Sequence, residues 1–231
     1  LFRDAPYEKE VEIAPGARAV FHDAGHILGA AMITIDFEVN GGSKRLFFTG
    51  DMGRPDMPIL RNPTVVGDVD WLITESTYGS RLHPPKADVQ GRLKGFLEDI
   101  QMQHSRLVIP SFSVGRTQII VYYLREIYES GRAGRVPVFV DSPLSSKATE
   151  VYARHEECYD SEAMRVIMEG DEPFQFHGLK YVTDVEDSKK INDMAGPVII
   201  ISASGMCEGG RILHHLAHTI EDPRNIVLIV G

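Results

Sequence analysis

The chain has 231 residues, of which 43% are hydrophobic and 25% are charged, as in a globular protein with one large domain or two small ones. It has no run of about 18 apolar residues, so we expect no membrane-spanning segment. Its net charge of −9 argues against broad, non-specific adhesion to DNA or RNA, so nucleic-acid binding would need positive potential confined to a groove. Two cysteines, Cys158 and Cys207, cannot form a disulfide framework, which favours a reducing, cytoplasmic compartment.

The first 78 residues are predicted to be rich in β-strands. The segment Ala31 to Val39 alternates apolar and polar residues, the turn at residues 40–43 follows, and residues 44–49 form a second strand. This pattern predicts a β-hairpin. The apolar residues that share one face of its first strand are Ile33, Ile35, Phe37 and Val39. Residues 71–74 are predicted to form a short buried strand that ends at Glu75.

After residue 80 the pattern changes to short apolar strands that alternate with helices. Helices are predicted near residues 87–103, 115–130, 145–157, 161–168, 185–194 and 209–220. Strands are predicted at residues 107–109, 138–140, 198–201 and 226–230. Apolar, β-branched strands that alternate with helices are typical of a parallel sheet in an α/β layer, so a domain boundary is predicted near residue 80.

Two predicted strand ends in the first 78 residues carry side chains that can bind a metal ion. Glycines on both sides of His26 let the backbone turn tightly and present an imidazole, which is a natural zinc ligand. An apolar strand that ends at Thr49 similarly delivers the carboxylate of Asp51 at its tip. Each motif alone is weak, because a histidine near a glycine turn is more often structural and many strands end in Gly-Asp.

A third motif, Thr74-Glu75-Ser76-Thr77-Tyr78-Gly79, again places a carboxylate just past an apolar strand. It follows Gly25-His26…Gly29-Ala30 and Thr49-Gly50-Asp51 in the chain. With these three motifs in this order, the sequence resembles the metallo-β-lactamase-fold nucleases that carry the nucleic-acid-binding insertion called β-CASP. That family includes the endonuclease that cuts messenger RNA 3′ ends and bacterial and archaeal ribonucleases.

Three further motifs match the family in order, at residues 110–118, 141–144 and 202–211. The resemblance implies an α/β fold class, with a partial metallo-β-lactamase αββα sandwich followed by an α/β β-CASP domain with a mainly parallel sheet. It predicts that residues 1–79 are the C-terminal part of an incomplete metallo-β-lactamase core. Residues 80–231 are then an incomplete β-CASP domain that binds nucleic acid.

The resemblance also implies the roles of three residues. His26 is implied to bind one metal ion and Asp51 to bridge two zinc ions as a catalytic residue. Such a pair, about 3.5–4 Å apart, would support in-line attack on phosphorus. Glu75 matches the acidic position at the start of the insertion, which the family places beside a histidine that protonates the leaving group. A second interpretation of Glu75 is a carboxylate that caps the turn at residues 76–79.

The sequence also departs from the family. The main metal motif, His-x-His-x-Asp-His, is absent, as are the strand-end aspartate before it and two later histidines. We expect these ligands in the flanking parts of a longer enzyme, of which this chain would be a central segment. A degenerate polypeptide is the alternative.

Two serine-rich loops are candidate phosphate-binding sites. Each follows a predicted strand and precedes a predicted helix, a place where backbone N–H groups, hydroxyls and an arginine suit an anion. The candidate phosphate-binding residues are Ser111, Ser113 and Arg116 in the first loop and Ser202, Ser204 and Arg211 in the second. The alternative for each loop is a plain helix cap.

Together these features predict a zinc-dependent phosphodiesterase that cleaves RNA as an endonuclease, a 5′ exonuclease or both, in RNA processing or decay. Single-stranded RNA is the expected partner, DNA stays open as a substrate, and a homodimer is a guess. The alternative function is a catalytically silent RNA-binding or scaffold subunit of the same fold. Such subunits usually lose metal ligands, whereas His26 and Asp51 are present. A small-molecule hydrolase of the superfamily would lack the α/β region after residue 80.

Overall fold

The computed structural model describes residues 3–82 and 88–230, and these residues form two compact units. The first unit contains the described residues up to 82 together with Glu157–Met164. The second contains those from 88 to Glu156 and from Arg165 onward. Within these ranges no helix combines the length and the apolar character that crossing a membrane requires.

A five-stranded sheet forms the first unit, with its strands in chain order. The strands are β1 (Glu10–Ala14), β2 (Ala17–Asp23), β3 (Ala31–Val39), β4 (Gly42–Phe48) and β5 (Trp71–Ile73). Strands β1 to β4 are antiparallel neighbours, and β3 and β4 form the predicted hairpin, which is confirmed. Strand β5 joins β4 in parallel, so both strands deliver their following residues to the same end of the sheet.

The two faces of this sheet are buried to different extents. Met32 and Phe47 pack with Ala24 in a small core on one face. The face predicted to be apolar, which carries Ile33 and its neighbours, is only half-buried. The prediction that β5 is buried is wrong, since Trp71 is 47% exposed. Strand β5 lies at the edge of the sheet, where it has one hydrogen-bonded neighbour.

A second five-stranded sheet, with the strand order β10-β6-β9-β7-β8, organises the second unit. Its strands are β6 (Arg106–Pro110), β7 (Val138–Asp141), β8 (Leu179–Tyr181), β9 (Val198–Ser202) and β10 (Ile226–Val227). Every pairing in it is parallel, so the predicted α/β fold class with a mainly parallel sheet is confirmed. Strand β8 was not predicted, and β10 is shorter than predicted.

The described residues form six helices besides these strands. They are α1 (Val89–Gln103), α2 (Arg116–Glu129), α3 (Pro143–Tyr152), α4 (Ser161–Met168), α5 (Val185–Asp193) and α6 (Ile212–Ala217), with a 3₁₀ turn at Glu156–Cys158. The predicted first residue of α1, residue 87, lies outside the described residues. Helix α6 begins at Ile212 rather than near residue 209, because Gly210 has a φ of +81° that a right-handed helix does not allow.

The parallel sheet is buried on both faces. Val108 and Ile200 belong to a core cluster with Ile191 of α5 and Ile212 of α6. The alternate residues of the same strands point to the opposite face and are also buried, as Ile199 shows. This double burial explains why these strands are continuous apolar runs in the sequence.

One buried carboxylate joins the elements at the carboxyl end of this sheet. Asp141 ends β7 and is fully buried. Arg211 Nη1 donates to one carboxylate oxygen at 2.7 Å, while Ser188 Oγ at 2.5 Å and His215 Nε2 at 2.6 Å reach the other. Ser202 Oγ donates to the Asp141 carbonyl at 2.8 Å. Strand β9, helix α5 and helix α6 are therefore tied to the end of β7.

The hydrogen bonds keep this carboxyl group ionised. Burial favours its neutral form, but hydrogen bonds from His215, Ser188 and Arg211 outweigh burial and hold the pKa of Asp141 below its ordinary value of 3.8. Because the folded-state pKa is the lower one, Asp141 stabilises the fold at pH values above the ordinary one. That stabilisation is lost as the pH falls through the folded-state pKa.

We expect Asp141→Asn to lower the free energy of unfolding at pH 7 by about 3–5 kcal/mol, because the Arg211 guanidinium loses its counter-charge and the buried His215 ring loses its carboxylate partner. Denaturant unfolding measures this loss. Asp222→Asn is the matched control, since Asp222 pairs with Arg224 on the surface and its loss should cost much less. Equal losses in the two variants would contradict the role assigned to Asp141.

Candidate metal and phosphate sites

The parallel pairing of β4 and β5 brings Asp51 and Glu75 to the same end of the first sheet. Phe48 and Ile73 are register partners at the last pairing of the two strands. The Met52 N–H then donates to Glu75 Oε1 at 2.9 Å, just after Asp51. The two predicted carboxylates therefore follow neighbouring strands and lie on adjoining loops.

His26 lies on the loop between β2 and β3, and a close backbone contact fixes this loop beside Asp51. The Gly53 N–H donates to the Ala24 carbonyl at 2.8 Å. A Cβ atom at Gly53 would lie 1.8 Å from the Gly25 carbonyl oxygen and 2.6 Å from the His26 nitrogen. Only glycine fits at position 53, a requirement that the sequence analysis missed.

The contacts of Glu75 suit both interpretations of this residue. A hydrogen bond with the Thr77 side chain and one from the Met52 N–H, with a smaller contribution from His26, hold the pKa of Glu75 below its usual range. The bond with Thr77 is the kind that turn capping requires. The hydrogen bond from the Met52 N–H, the residue after Asp51, holds Glu75 beside the candidate metal site.

These residues fit part of a zinc site. An imidazole and a carboxylate are ligands that zinc prefers, and a catalytic zinc ion takes three protein ligands and leaves one position open. Within residues 3–82 and 88–230, however, no group of three or more His, Cys, Asp or Glu residues is arranged to hold a metal ion. His26 and Asp51 therefore supply the right chemistry but too few ligands for a complete site.

In the second unit, the loop between β6 and α2 contains two serines in different environments. Ser111 is fully buried, and its hydroxyl lies 3.3 Å from the Phe112 carbonyl oxygen and 3.1 Å from Thr117 Oγ1. Ser113 is half-buried, and its hydroxyl lies 3.4 Å from that of Ser142. A phosphate at this loop would meet Ser113, whereas the Ser111 hydroxyl is enclosed by protein.

The same division holds in the loop between β9 and α6. Ser202 is buried and bound to the Asp141 carbonyl, while Ser204 is half-buried and accepts a hydrogen bond from the Glu208 N–H at 3.3 Å. The Arg211 guanidinium donates to Asp141 and to the carbonyls of residues 182 and 183. These bonds give Arg211 a stabilising role within the protein, and its contact with phosphate stays a prediction.

The two serine loops adjoin each other at the carboxyl end of the sheet. They follow β6 and β9, which are parallel neighbours. A Cβ atom at Gly205 would lie 3.1 Å from the Phe112 nitrogen, so the two loops touch. Arg116 is the first residue of α2 and follows the first of these loops in the chain. Ligands of parallel sheets gather at this end of the strands.

The histidines in and just after α6 form hydrogen bonds within the protein. The His215 ring is fully buried between Asp141 and the Asn192 side chain, 2.8 Å from Asn192 Oδ1. His218 Nδ1 lies 2.7 Å from the His214 carbonyl oxygen and forms a hydrogen bond within the helix. Sequence reasoning gave no role to His215 or Asp141, although the position of Asp141 directly after an apolar strand was a usable signal.

Comparison with known proteins supports the fold and the family. Residues 117–231 match the family model of the Beta-Casp domain. The chain is 35% identical over 212 residues to a ribonuclease of Thermus thermophilus, a match that covers 91% of this chain and 48% of the relative. It is 33% identical to a transcription termination factor of Methanosarcina mazei, with 97% and 36% covered.

A eukaryotic relative extends the comparison. The chain is 29% identical over 218 residues to cleavage and polyadenylation specificity factor 73 of Drosophila melanogaster, covering 94% of this chain and 31% of the relative. The chain thus spans less than half the length of these three relatives. Residues 117–231 thus belong to the Beta-Casp domain family, and the matches along nearly the whole chain support a metallo-β-lactamase-fold nuclease of the β-CASP family.

Proposed function

We propose that the protein containing this chain is a zinc-dependent phosphodiesterase that cleaves RNA. The observation that carries this proposal is the close packing of Gly53 on Gly25 and His26, which holds the Asp51 loop against the His26 loop. The names of the relatives, a ribonuclease and a cleavage and polyadenylation specificity factor among them, support RNA as the substrate.

His26 and Asp51 would hold zinc together with ligands from outside the described residues. Zinc, when bound, polarises phosphoryl oxygens and lowers the pKa of water. The carboxylate of Asp51 would also offset positive charge at such a site. Glu75 would orient the histidine that the family resemblance places beside it, and this histidine would donate a proton to the departing ribose oxygen.

RNA phosphates would bind at the second candidate site. Ser113 and Ser204 are half-buried hydroxyl residues on touching loops, and Arg116 adds a positive charge at the start of α2. Ser111, Ser202 and Arg211 support these loops through internal hydrogen bonds. Phosphate contacts of this kind position a nucleic acid without reading its sequence.

We predict that Asp51→Ala abolishes RNA cleavage by the intact protein and lowers its zinc content, because a metal ligand worth several kcal/mol in the transition state is removed. Metal analysis and a cleavage assay test this. Asp51 is exposed, so the fold should survive. Glu38→Ala, an exposed acidic residue at the far end of β3, is the control and should leave both measurements unchanged. Turnover like that of the unaltered protein would remove Asp51 from the site.

We predict that Arg116→Ala weakens binding similarly for all RNA sequences and flattens the salt dependence of binding by about one unit, because one phosphate contact is lost. Titrations of single-stranded RNA at several salt concentrations measure this slope. Arg154→Ala is the matched control, because Arg154 is an exposed arginine that follows the C-terminal end of α3. If Arg116→Ala changes neither affinity nor slope, the serine loops are plain helix caps.

The two interpretations of Glu75 differ in the effect of Glu75→Gln. An amide still accepts hydrogen bonds, so a turn-capping residue would lose little activity. A residue that acts in proton transfer would lose turnover by at least about 100-fold, with zinc content and RNA affinity near normal. We expect the second result from parallel assays of turnover, zinc content and RNA affinity. Unchanged turnover would leave Glu75 as a turn residue.

A further inference from the structure

Phe112 presents a phenyl ring at the carboxyl end of the parallel sheet. The ring belongs to the loop between β6 and α2 and the residue is 51% exposed, although it directly follows the buried Ser111. Ser113, a half-buried hydroxyl residue, is next in the chain. An exposed aromatic residue is therefore the chain neighbour of the serine proposed to contact phosphate.

The surroundings of Phe112 hold its backbone and one edge of its ring. The Phe112 carbonyl accepts from Thr117 Oγ1 at 2.8 Å, from the Thr117 N–H at 3.3 Å and from Ser111 Oγ at 3.3 Å. A Cβ atom at Gly205 would lie 3.0 Å and 3.1 Å from two carbons of the ring. The absence of a side chain at Gly205 thus lets one part of the ring rest on the neighbouring loop while the rest stays open.

We propose that Phe112 is a stacking platform for a nucleobase of single-stranded RNA, an inference that rests on the proposed function. Sites for single-stranded nucleic acid combine donors that track the phosphates with aromatic rings on which bases stack. The loops at this edge offer both, with Ser113, Ser204 and Arg116 for phosphates and Phe112 for a base. A ring held in advance loses little conformational freedom on binding, so its contact contributes more to affinity.

Stacking and phosphate contacts both contribute to RNA affinity, and binding of two probes by the intact protein separates the two contributions. The probes are a labelled oligouridine of about ten nucleotides and an abasic strand with the same number of phosphates. We expect Phe112→Ala to weaken oligouridine binding at least about fivefold and to leave abasic-strand binding unchanged. Phe112→Trp should retain binding, and the salt dependence should be the same in all three proteins.

Met102→Ala is the matched control, because Met102 is an apolar residue of α1 that is 74% exposed and precedes the start of β6, at the opposite end of the strand. It should bind both probes like the unaltered protein. Equal loss of both probes in Phe112→Ala would overturn the proposal, since the ring would then only support the loop. Unchanged oligouridine binding would also overturn it. Failure of the unaltered protein to bind either strand would overturn the proposed function itself, and this site with it.

Discussion

The parallel pairing of neighbouring strands is the constraint on which both candidate sites depend. In the first unit, β5 adds to β4 in parallel, so Asp51 and Glu75 emerge at one end of the sheet. In the second unit, β6 and β9 are parallel neighbours, and their following loops carry Ser113 and Ser204. An antiparallel arrangement would have sent one member of each pair to the opposite end. The local sequence places a polar residue after a strand, and strand direction decides which of these residues meet.

Much of this arrangement could be predicted from the sequence. Apolar runs that end in a carboxylate gave the positions of Asp51 and Glu75, and the alternation of strands and helices gave the parallel sheet. Contacts that join distant residues could not be predicted in this way. Arg211 reaches Asp141 across 70 positions of the chain, and Gly53 meets Gly25 only after the loops are folded. Periodicity describes one element at a time, so it carries no information about such meetings.

Arg211 shows why a motif does not determine the use of its arginine. Arg116 and Arg211 both follow a loop that contains serine and glycine, so the sequence predicts the same phosphate-binding role for both. A fully buried carboxylate has lost its hydration, and removing one of its partners would leave an uncompensated charge in the interior. The Arg211 guanidinium therefore pairs with Asp141, and the Arg211 side chain is only 19% exposed. The carbonyls of residues 182 and 183 also accept hydrogen bonds from this guanidinium. Arg116, the first residue of α2, stays a candidate for phosphate.

The net charge of −9 favours a binding surface that does not rely on positive charge alone. At long range this net charge repels a polyanion, and salt screens the repulsion. Hydroxyl donors act only at contact, and stacking on Phe112 is independent of charge. With Arg211 held by Asp141, the serine loops offer one arginine, Arg116, beside the hydroxyls of Ser113 and Ser204. Short-range contacts must then supply a larger share of the affinity, and a fixed aromatic ring among hydroxyls is the arrangement that does so.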